Sequence, residues 1–178
     1  MPASFLKAVI IVLAGAIYAS CELPINGITL GTGWNELAGG IISIYAHRYS
    51  DDFALDAGTG LGATGVKVGT SARFFLTKWK LRPFTGIGIA AASGGTNGTV
   101  TVNDLVTKLE TTPAGFCQLT FGFDLARTKG LLLYIDAGYN WRINNNLRIL
   151  SGPNNSKFAT DLLFGSGPVL GFHFGGKI

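Results

Sequence analysis

Two long runs of strictly alternating side chains, within residues 115–142, constrain the fold of this chain more than any other feature. In both runs an apolar residue alternates with a polar or very small one, as expected of a β-strand with one apolar face. Each run continues for about ten residues, the length of a tilted strand that crosses the hydrocarbon core of a membrane. Strands in soluble domains average about 5–6 residues. The alternation therefore predicts a membrane-spanning β-barrel.

The composition is unusual for a soluble domain. Charged residues make up 13% of the 178 residues and glycine occurs 26 times, whereas typical globular proteins carry about 25% charged residues and about 7% glycine. The formal net charge is +4 and no cluster of lysines and arginines is present, so nucleic acid is not expected as a partner. The glycine-rich stretches 58–62 and 86–88 lie inside strand patterns with no helix after them, which argues against a phosphate-binding loop. We expect no cofactor.

The N-terminus has the pattern of an export signal. Lys7 precedes a short apolar run, residues 8–14, and small residues follow it. The run is shorter than the about 20 residues that a membrane-spanning helix needs. We therefore assign residues 1–20 to a signal peptide and residues 21–178 to the barrel. Cys21 would follow the cleavage site, which leaves acylation as in a lipoprotein, a disulfide with Cys117 and a free thiol as alternatives.

The alternation predicts an all-β chain that forms an eight-stranded, antiparallel, up-and-down transmembrane barrel. The predicted strands cover residues 25–33, 37–48, 53–61, 65–77, 81–92, 115–125, 131–142 and 158–174. Two long polar connections, 93–113 and 143–157, would lie at one end of the barrel. The short turns and both termini would lie at the other, as in outer-membrane barrels with short periplasmic turns and long external loops. This arrangement requires an even number of strands, which the weak first strand completes.

The polar face of the strands indicates which way the apolar face points. It consists mainly of glycine, alanine, serine and threonine with few charges, which suits the interior of a narrow barrel. The exterior of a soluble barrel would be rich in lysine and glutamate. Aromatic residues gather at the predicted strand ends, as in the interfacial girdles of membrane barrels. The predicted girdle residues are Tyr139 and Trp141 at the outer end, and Phe172, Phe174 and Trp79 at the inner end.

Three segments with the sequences LRPFTGIGIAA, DAGYNWR and GFHF (residues 81–91, 136–142 and 171–174) resemble parts of small outer-membrane β-barrel proteins. The chain is most similar in these segments to OmpA-like transmembrane domains and opacity-type surface proteins. The resemblance covers about residues 25–178. It implies a location in the bacterial outer membrane, contact with outer-membrane lipid, insertion by the barrel-assembly machinery and an unknown surface partner. In these families the chain usually ends in Phe or Trp, whereas here it ends in Ile178, which keeps the apolar phase.

Four acidic and four basic residues are predicted to point into the barrel. They are Asp56, Lys67, Arg73, Arg82, Asp124, Asp136, Arg142 and Asp161. Charges in a narrow interior are tolerated when they are paired and hydrogen-bonded. We therefore expect a salt-bridge network that fills the lumen, with Arg73 and Arg82 as central members. Separately solvated charges near the two rims are the alternative.

The pattern favours a structural or surface-interaction role through the connections 93–113 and 143–157, since binding usually resides in loops on a rigid scaffold. A narrow porin-like channel, a lipid-modifying enzyme and a soluble, secreted, ligand-binding barrel remain as alternatives.

An enzyme of this kind would need an activated serine and a histidine. His47 and His173 are predicted to point inward near the periplasmic rim, and Ser43 and Ser166 are the nearest hydroxyls. No catalytic motif is present, and no third ligand accompanies the two histidines. The sequence therefore predicts neither an enzyme nor a metal site.

Overall fold

The computed structural model describes residues 26–95, 97–102, 105–128, 130–144, 147–151 and 166–178. All regular secondary structure in these ranges is β-strand. The strands are β1 (Gly27–Trp34), β2 (Ile42–Tyr49), β3 (Phe53–Gly62), β4 (Gly65–Phe75), β5 (Arg82–Ala92), β6 (Asn97–Val102), β7 (Leu105–Thr111), β8 (Ala114–Thr128), β9 (Leu131–Arg142), β10 (Leu147–Ser151) and β11 (Gly167–Gly176). Within these ranges no helix is long and apolar enough to cross a membrane. The predicted signal peptide, Cys21 and Asp161 lie outside the described residues.

Eight of the strands form a closed barrel in the order β1-β2-β3-β4-β5-β8-β9-β11, and β11 pairs with β1 to close it. Every pair is antiparallel. The seam runs from Ile28 opposite Gly176 to Trp34 opposite Leu170. The predicted eight-stranded, antiparallel, up-and-down fold is confirmed, including the weak first strand that the even count required.

The apolar face of the strands points away from the barrel centre. On β8, Phe121 is 49% exposed and the preceding Thr120 is buried. On β9, Ile135 is 38% exposed and the preceding Tyr134 is buried. The same alternation continues around the barrel, as in β1, where the burial alternates at every residue from Gly27 to Thr32. The lumen therefore holds small, polar, charged and aromatic side chains, and the outer surface of the strands carries most of the exposed large apolar side chains.

The connections differ between the two ends of the barrel. Short turns follow β2, β4 and β8 at the end of the barrel where β1 begins and β11 ends. The two long connections, predicted as irregular loops, lie at the opposite end and contain strands of their own. β6 and β7 belong to the first connection and β10 to the second, and they pair as a three-stranded sheet in the order β10-β7-β6. This sheet is called the loop sheet below.

The connection after β1 is the main departure from the predicted strands. We expected β2 to begin at residue 37, with Ala38 on the apolar outer face, but the strand begins at Ile42. Residues 35–41, called the plug loop below, leave the sheet, and Glu36, Leu37 and Ala38 of this loop are buried in the lumen, whereas Ile41 is exposed. Asn35 starts the departure with a φ of 54°, in the left-handed region that asparagine tolerates better than most residues. Of the predicted last strand, residues 158–165 lie outside the described residues, and β11 covers Gly167–Gly176.

Candidate functional site

A buried ion pair between β3 and β4 forms the first cluster in the lumen. Arg73 Nε donates to Asp56 Oδ2 at 2.6 Å, and Arg73 Nη2 donates to Asp56 Oδ1 at 2.9 Å. The imidazole of His47 lies against the same carboxylate, with Nδ1 2.7 Å from Asp56 Oδ1, and its Nε2 lies 2.6 Å from Thr29 Oγ1. This chain of polar contacts, called the Arg73 cluster, links β1 to β4 across the barrel interior.

Aromatic rings enclose the guanidinium of Arg73. It lies 3.9 Å from the centroid of Tyr134, and the rings of Tyr49 and Phe84 are at 5.4 and 5.1 Å. The Tyr49 hydroxyl accepts a hydrogen bond from Arg73 Nη2 at 3.1 Å. The bidentate carboxylate and the ring faces together replace the water that a buried guanidinium loses. This half of the lumen is thus filled with packed polar and aromatic side chains, although Arg73 Nη1 is buried without a hydrogen bond to any described residue.

A second cluster lies where the plug loop meets β9 and β11. His173 Nε2 is 3.6 Å from Glu36 Oε1 and 3.7 Å from Asp136 Oδ1. The Tyr45 hydroxyl donates to Glu36 Oε2 at 2.8 Å and accepts from the Ala38 backbone N–H at 3.1 Å. These residues are called the Glu36 cluster, and its three convergent ligand atoms could hold a metal ion.

The strands position the Glu36 cluster through their register. Gly171 of β11 faces Asp136 of β9, and His173 lies two residues further along the same face of β11. A Cβ at Gly171 would overlap both Glu36 Oε1 and Asp136 Oδ1, so the missing side chain makes room for the carboxylates. Burial raises the pKa of the Glu36 carboxyl, but its contacts with His173 and Tyr45 lower it more, so this pKa lies below its usual value.

Polar contacts also hold the plug loop at the long-loop end. Lys67 Nζ donates to the Glu36 carbonyl at 3.1 Å, and its ammonium lies 4.7 Å from the ring centroid of Phe116. Asn140 Nδ2 donates to Asn35 Oδ1 at 3.1 Å. The plug loop is therefore attached to β4 and β9 as well as to the Glu36 cluster.

The predicted lumen charges that the structure describes take part in several groups of contacts. Asp56 and Arg73 pair directly, Lys67 binds the backbone of the plug loop, and Asp136 belongs to the Glu36 cluster. Asp124 is buried opposite Arg82 in the ladder between β5 and β8. Asp161 lies outside the described residues.

Two of the predicted charges lie toward the ends of the barrel. Arg142 is partly exposed at the end of β9, where its backbone N–H donates to Ser166 Oγ at 3.0 Å. The prediction of Arg82 as a central member is corrected by the structure. Its guanidinium donates to the carbonyls of Asp51 and Thr77 and covers the ring of Phe75. Arg82 is the first residue of β5, so its side chain reaches the turns at the short-turn end and not the middle of the lumen.

Both predicted histidines point inward, yet they belong to different clusters. His47 contacts Asp56, whereas His173 faces Glu36 and Asp136. Both rings pack against Tyr134, and the His173 ring stacks on it at a centroid distance of 4.0 Å. Ser43 is buried near His173. Both side chains lie next to Gly31, where an added Cβ would be 2.6 Å from Ser43 Oγ and 2.8 Å from His173 Nδ1. Ser166 lies at the mouth with Arg142, away from both rings.

Sequence analysis overlooked Glu36 and the buried tyrosines. Tyr45, Tyr49 and Tyr134 occupy the inward phase of β2 and β9, so the alternation alone could have identified them as lumen residues. Glu36 carried no such signal, because its position depends on the plug loop leaving the sheet.

The predicted girdle residues all lie on the outer surface. Trp79 is the most exposed of them, and Tyr139 packs against Trp141 with ring centroids 4.9 Å apart. Phe172 and Phe174 are half exposed on β11. Cys117 is a free cysteine opposite Trp141 in the ladder between β8 and β9.

Comparison with protein-family models, curated proteins and solved structures finds no match to this chain. The geometry of the barrel and its lumen is therefore the basis for the functional proposals that follow.

Proposed function

We propose that this chain is an integral outer-membrane β-barrel with a filled lumen, and that its role is structural or surface-interactive. The observation that carries the proposal is the apolar band around a closed barrel whose interior holds the charges. Large apolar side chains are exposed on every barrel strand, among them Leu30, Ile44, Leu55, Phe74, Ile87, Phe121, Ile135 and Leu170.

Lipid is the environment that this surface fits. Soluble proteins seldom expose a contiguous apolar patch larger than a few hundred Å², whereas a membrane barrel requires such a band and must leave no open sheet edge. The seam between β1 and β11 closes the sheet completely. A soluble, secreted barrel is thereby disfavoured.

The outer membrane of a bacterium is the membrane that we infer. The export signal predicted from the N-terminal sequence, the aromatic residues at both ends of the band and the resemblance to OmpA-like and opacity-type barrels support this location. Insertion would then require the barrel-assembly machinery. The short turns would face the periplasm and the loop sheet the exterior, as in barrels of this class.

The filled lumen argues against a porin-like channel. Eight strands leave an interior that side chains can fill, and here the Arg73 cluster, the Glu36 cluster and the plug loop occupy it in succession. We also infer no enzymatic role, since the buried Ser43 and His173 lie below the plug loop, away from the lipid.

The loop sheet is the part of the molecule that we propose for contact with a surface partner. It combines both long connections, because β10 of the second pairs with β7 of the first. The ladder places Arg148 opposite Glu110, a cross-strand pair of opposite charge. A sheet holds its side chains in a more fixed arrangement than two separate loops would.

An epitope tag tests this orientation. We expect a tag inserted between Val102 and Leu105, at the tip of the β6–β7 hairpin, to bind antibody on intact cells. The same tag inserted at Gly130, in the turn between β8 and β9, is the matched control and should bind only after the outer membrane is permeabilised. Equal labelling of both tags on intact cells, or labelling of the Gly130 tag alone, would contradict the proposal.

A further inference from the structure

We propose that Glu36, Asp136 and His173 form a binding site for one divalent transition-metal ion, such as Zn²⁺, inside the barrel. The site rests on the geometry of the lumen and does not depend on the membrane location, since a soluble barrel with the same interior would bind the ion equally well. It provides the third ligand that the sequence did not reveal.

The spacing of the three atoms is that of metal ligands. His173 Nε2 lies 3.6 Å from Glu36 Oε1 and 3.7 Å from Asp136 Oδ1, and all three atoms lie within 4.8 Å of one another. Hydrogen bonds between nitrogen and oxygen are shorter, at about 2.7–3.2 Å. Ligands bound to a tetrahedral Zn²⁺ at about 2.0–2.2 Å are separated from one another by about 3.4 Å.

The same three atoms lack hydrogen-bond partners. Within the described part of the chain, Glu36 Oε1, Asp136 Oδ1 and His173 Nε2 are each buried with no hydrogen bond. Buried polar groups almost always have a partner. By contrast, the second oxygen of Glu36 accepts the hydrogen bond from Tyr45, which leaves Oε1 directed at the other two atoms. Such outer contacts commonly orient metal ligands.

The site borders a small free volume. Gly171 contributes no side chain to the point where the three atoms converge, and a Cβ there would lie 2.8 Å from His173 Nε2 and overlap both carboxylates. A cavity of about 20 Å³ adjoins all three residues. That volume is close to the minimum that holds one water molecule, so it suits a single ion with a bound water.

The charge balance favours a divalent cation. Two carboxylates converge on one imidazole, so even a protonated imidazole would leave one negative charge unbalanced among these three groups, and Lys67 donates to the Glu36 carbonyl and not to either of these carboxylates. A neutral imidazole and two carboxylates balance the charge of a divalent ion. The bound site would then carry no net charge, which lowers the free-energy cost of burying the two carboxylates. Imidazole and carboxylate ligands suit Zn²⁺ and its first-row neighbours.

A bound ion would act as a clamp on the plug loop. Glu36 belongs to the loop, Asp136 to β9 and His173 to β11, so a single ion would join the loop to two barrel strands. We expect its removal to weaken the attachment of the loop while the backbone ladders stay intact.

Direct metal binding tests the proposal. The full chain is folded in detergent, incubated with Zn²⁺, separated from unbound metal and analysed by mass spectrometry. We expect about one ion per barrel, and X-ray absorption with only nitrogen and oxygen ligands at about 2.0–2.2 Å. Binding well below one ion per barrel would overturn the site, because a trapped water or a shared proton would then hold the cluster. Sulfur in the coordination shell would overturn it as well, since Cys117 or Cys21 would then be the ligand.

Single substitutions assign the ligands. Glu36→Gln, Asp136→Asn and His173→Gln should each weaken Zn²⁺ binding by at least about tenfold. His47→Gln is the matched control, because it removes an equally buried imidazole that contacts Asp56 and is not one of the three proposed ligands. Glu36→Gln decides the question if the strand variants fail to fold, since residue 36 lies outside the barrel ladders. Unchanged binding by folded Glu36→Gln, or equal loss in His47→Gln, would refute the assignment.

Discussion

The pairing of Asp56 with Arg73 is the strongest single interaction that the lumen offers. Both side chains are almost completely buried, and two hydrogen bonds join them. A buried ion pair is weak evidence for net stability, because desolvation offsets much of the attraction. Its loss is costly nonetheless, because the remaining partner keeps a buried charge without compensation.

Neutralising one partner should therefore destabilise the barrel. We expect Asp56→Asn to lower the free energy of unfolding by about 3–5 kcal/mol, measured as urea-induced unfolding in detergent. Asp52→Asn is the control, since Asp52 and Lys78 form an exposed pair at 3.8 Å and such pairs contribute less than about 1 kcal/mol. Equal effects of the two substitutions would show that the Asp56 contact is dispensable.

Arg82 should matter less than its predicted central role implied. Its guanidinium donates to turn carbonyls at the edge of the barrel, where water can replace the lost contacts. We expect Arg82→Ala to cost about 1 kcal/mol or less and Arg73→Ala to cost several times as much, in the same unfolding measurement. If Arg82→Ala lowered the free energy of unfolding more than Arg73→Ala, this expectation would be wrong and Arg82 would be a central member of the network.

At the scale of elements, the apolar side chain of Leu37 holds the plug loop in place together with the polar contacts of the loop. Leu37 is buried in the lumen, and a Cβ at Gly69 or at Gly88 would lie only 2.8 or 2.7 Å from its side chain. The two glycines thus form a recess between β4 and β5 that accepts the leucine.

Truncating Leu37 should leave a cavity in that recess. We expect Leu37→Ala to destabilise the barrel by about 2–5 kcal/mol, the usual range for a buried leucine, again by unfolding in detergent. Leu30→Ala makes the same change on the outer face, where the side chain is 56% exposed, and should cost clearly less. Similar losses for both variants would indicate that the plug loop is not packed in solution as it is in the structure.

Most barrel strands could be predicted from the sequence because their side chains alternate without interruption. The period of two fixes both the strand and the face that each residue occupies, which placed Arg73 and Asp56 inside correctly. The loop sheet had a similar signal, since β6 and β7 are rich in the β-prone residues threonine and valine. Its polar flanks nevertheless indicated an irregular loop.

The Glu36 cluster could not be predicted in the same way. The sequence predicted that His173 lies on the inner face of the last strand and that this strand pairs with the first. It did not reveal that residues 35–41 turn into the lumen, because the alternation of the predicted second strand continued through Ala38. The consecutive glycines Gly39 and Gly40 were the local signal for a break. The meeting of Glu36 with Asp136 and His173 depends on that break.

At the scale of the whole molecule, the fold inverts the usual distribution of side chains. Asp56, Lys67, Arg73 and Asp124 are buried inside the barrel, and most of the exposed large side chains on the outside are leucine, isoleucine and phenylalanine. A barrel of this kind has no single apolar core that could hold it together in water. On the proposed membrane location, its stability would come from the closed ladder, the lumen clusters and the surrounding lipid.

Migration of the native protein on a gel, with outer membranes isolated from cells as the sample, tests this account most directly. We predict that the protein is found in the outer-membrane fraction. It should migrate faster when unheated, as a compact barrel, than after boiling. Recovery from the aqueous fraction without detergent, or identical migration before and after boiling, would contradict the membrane-embedded barrel.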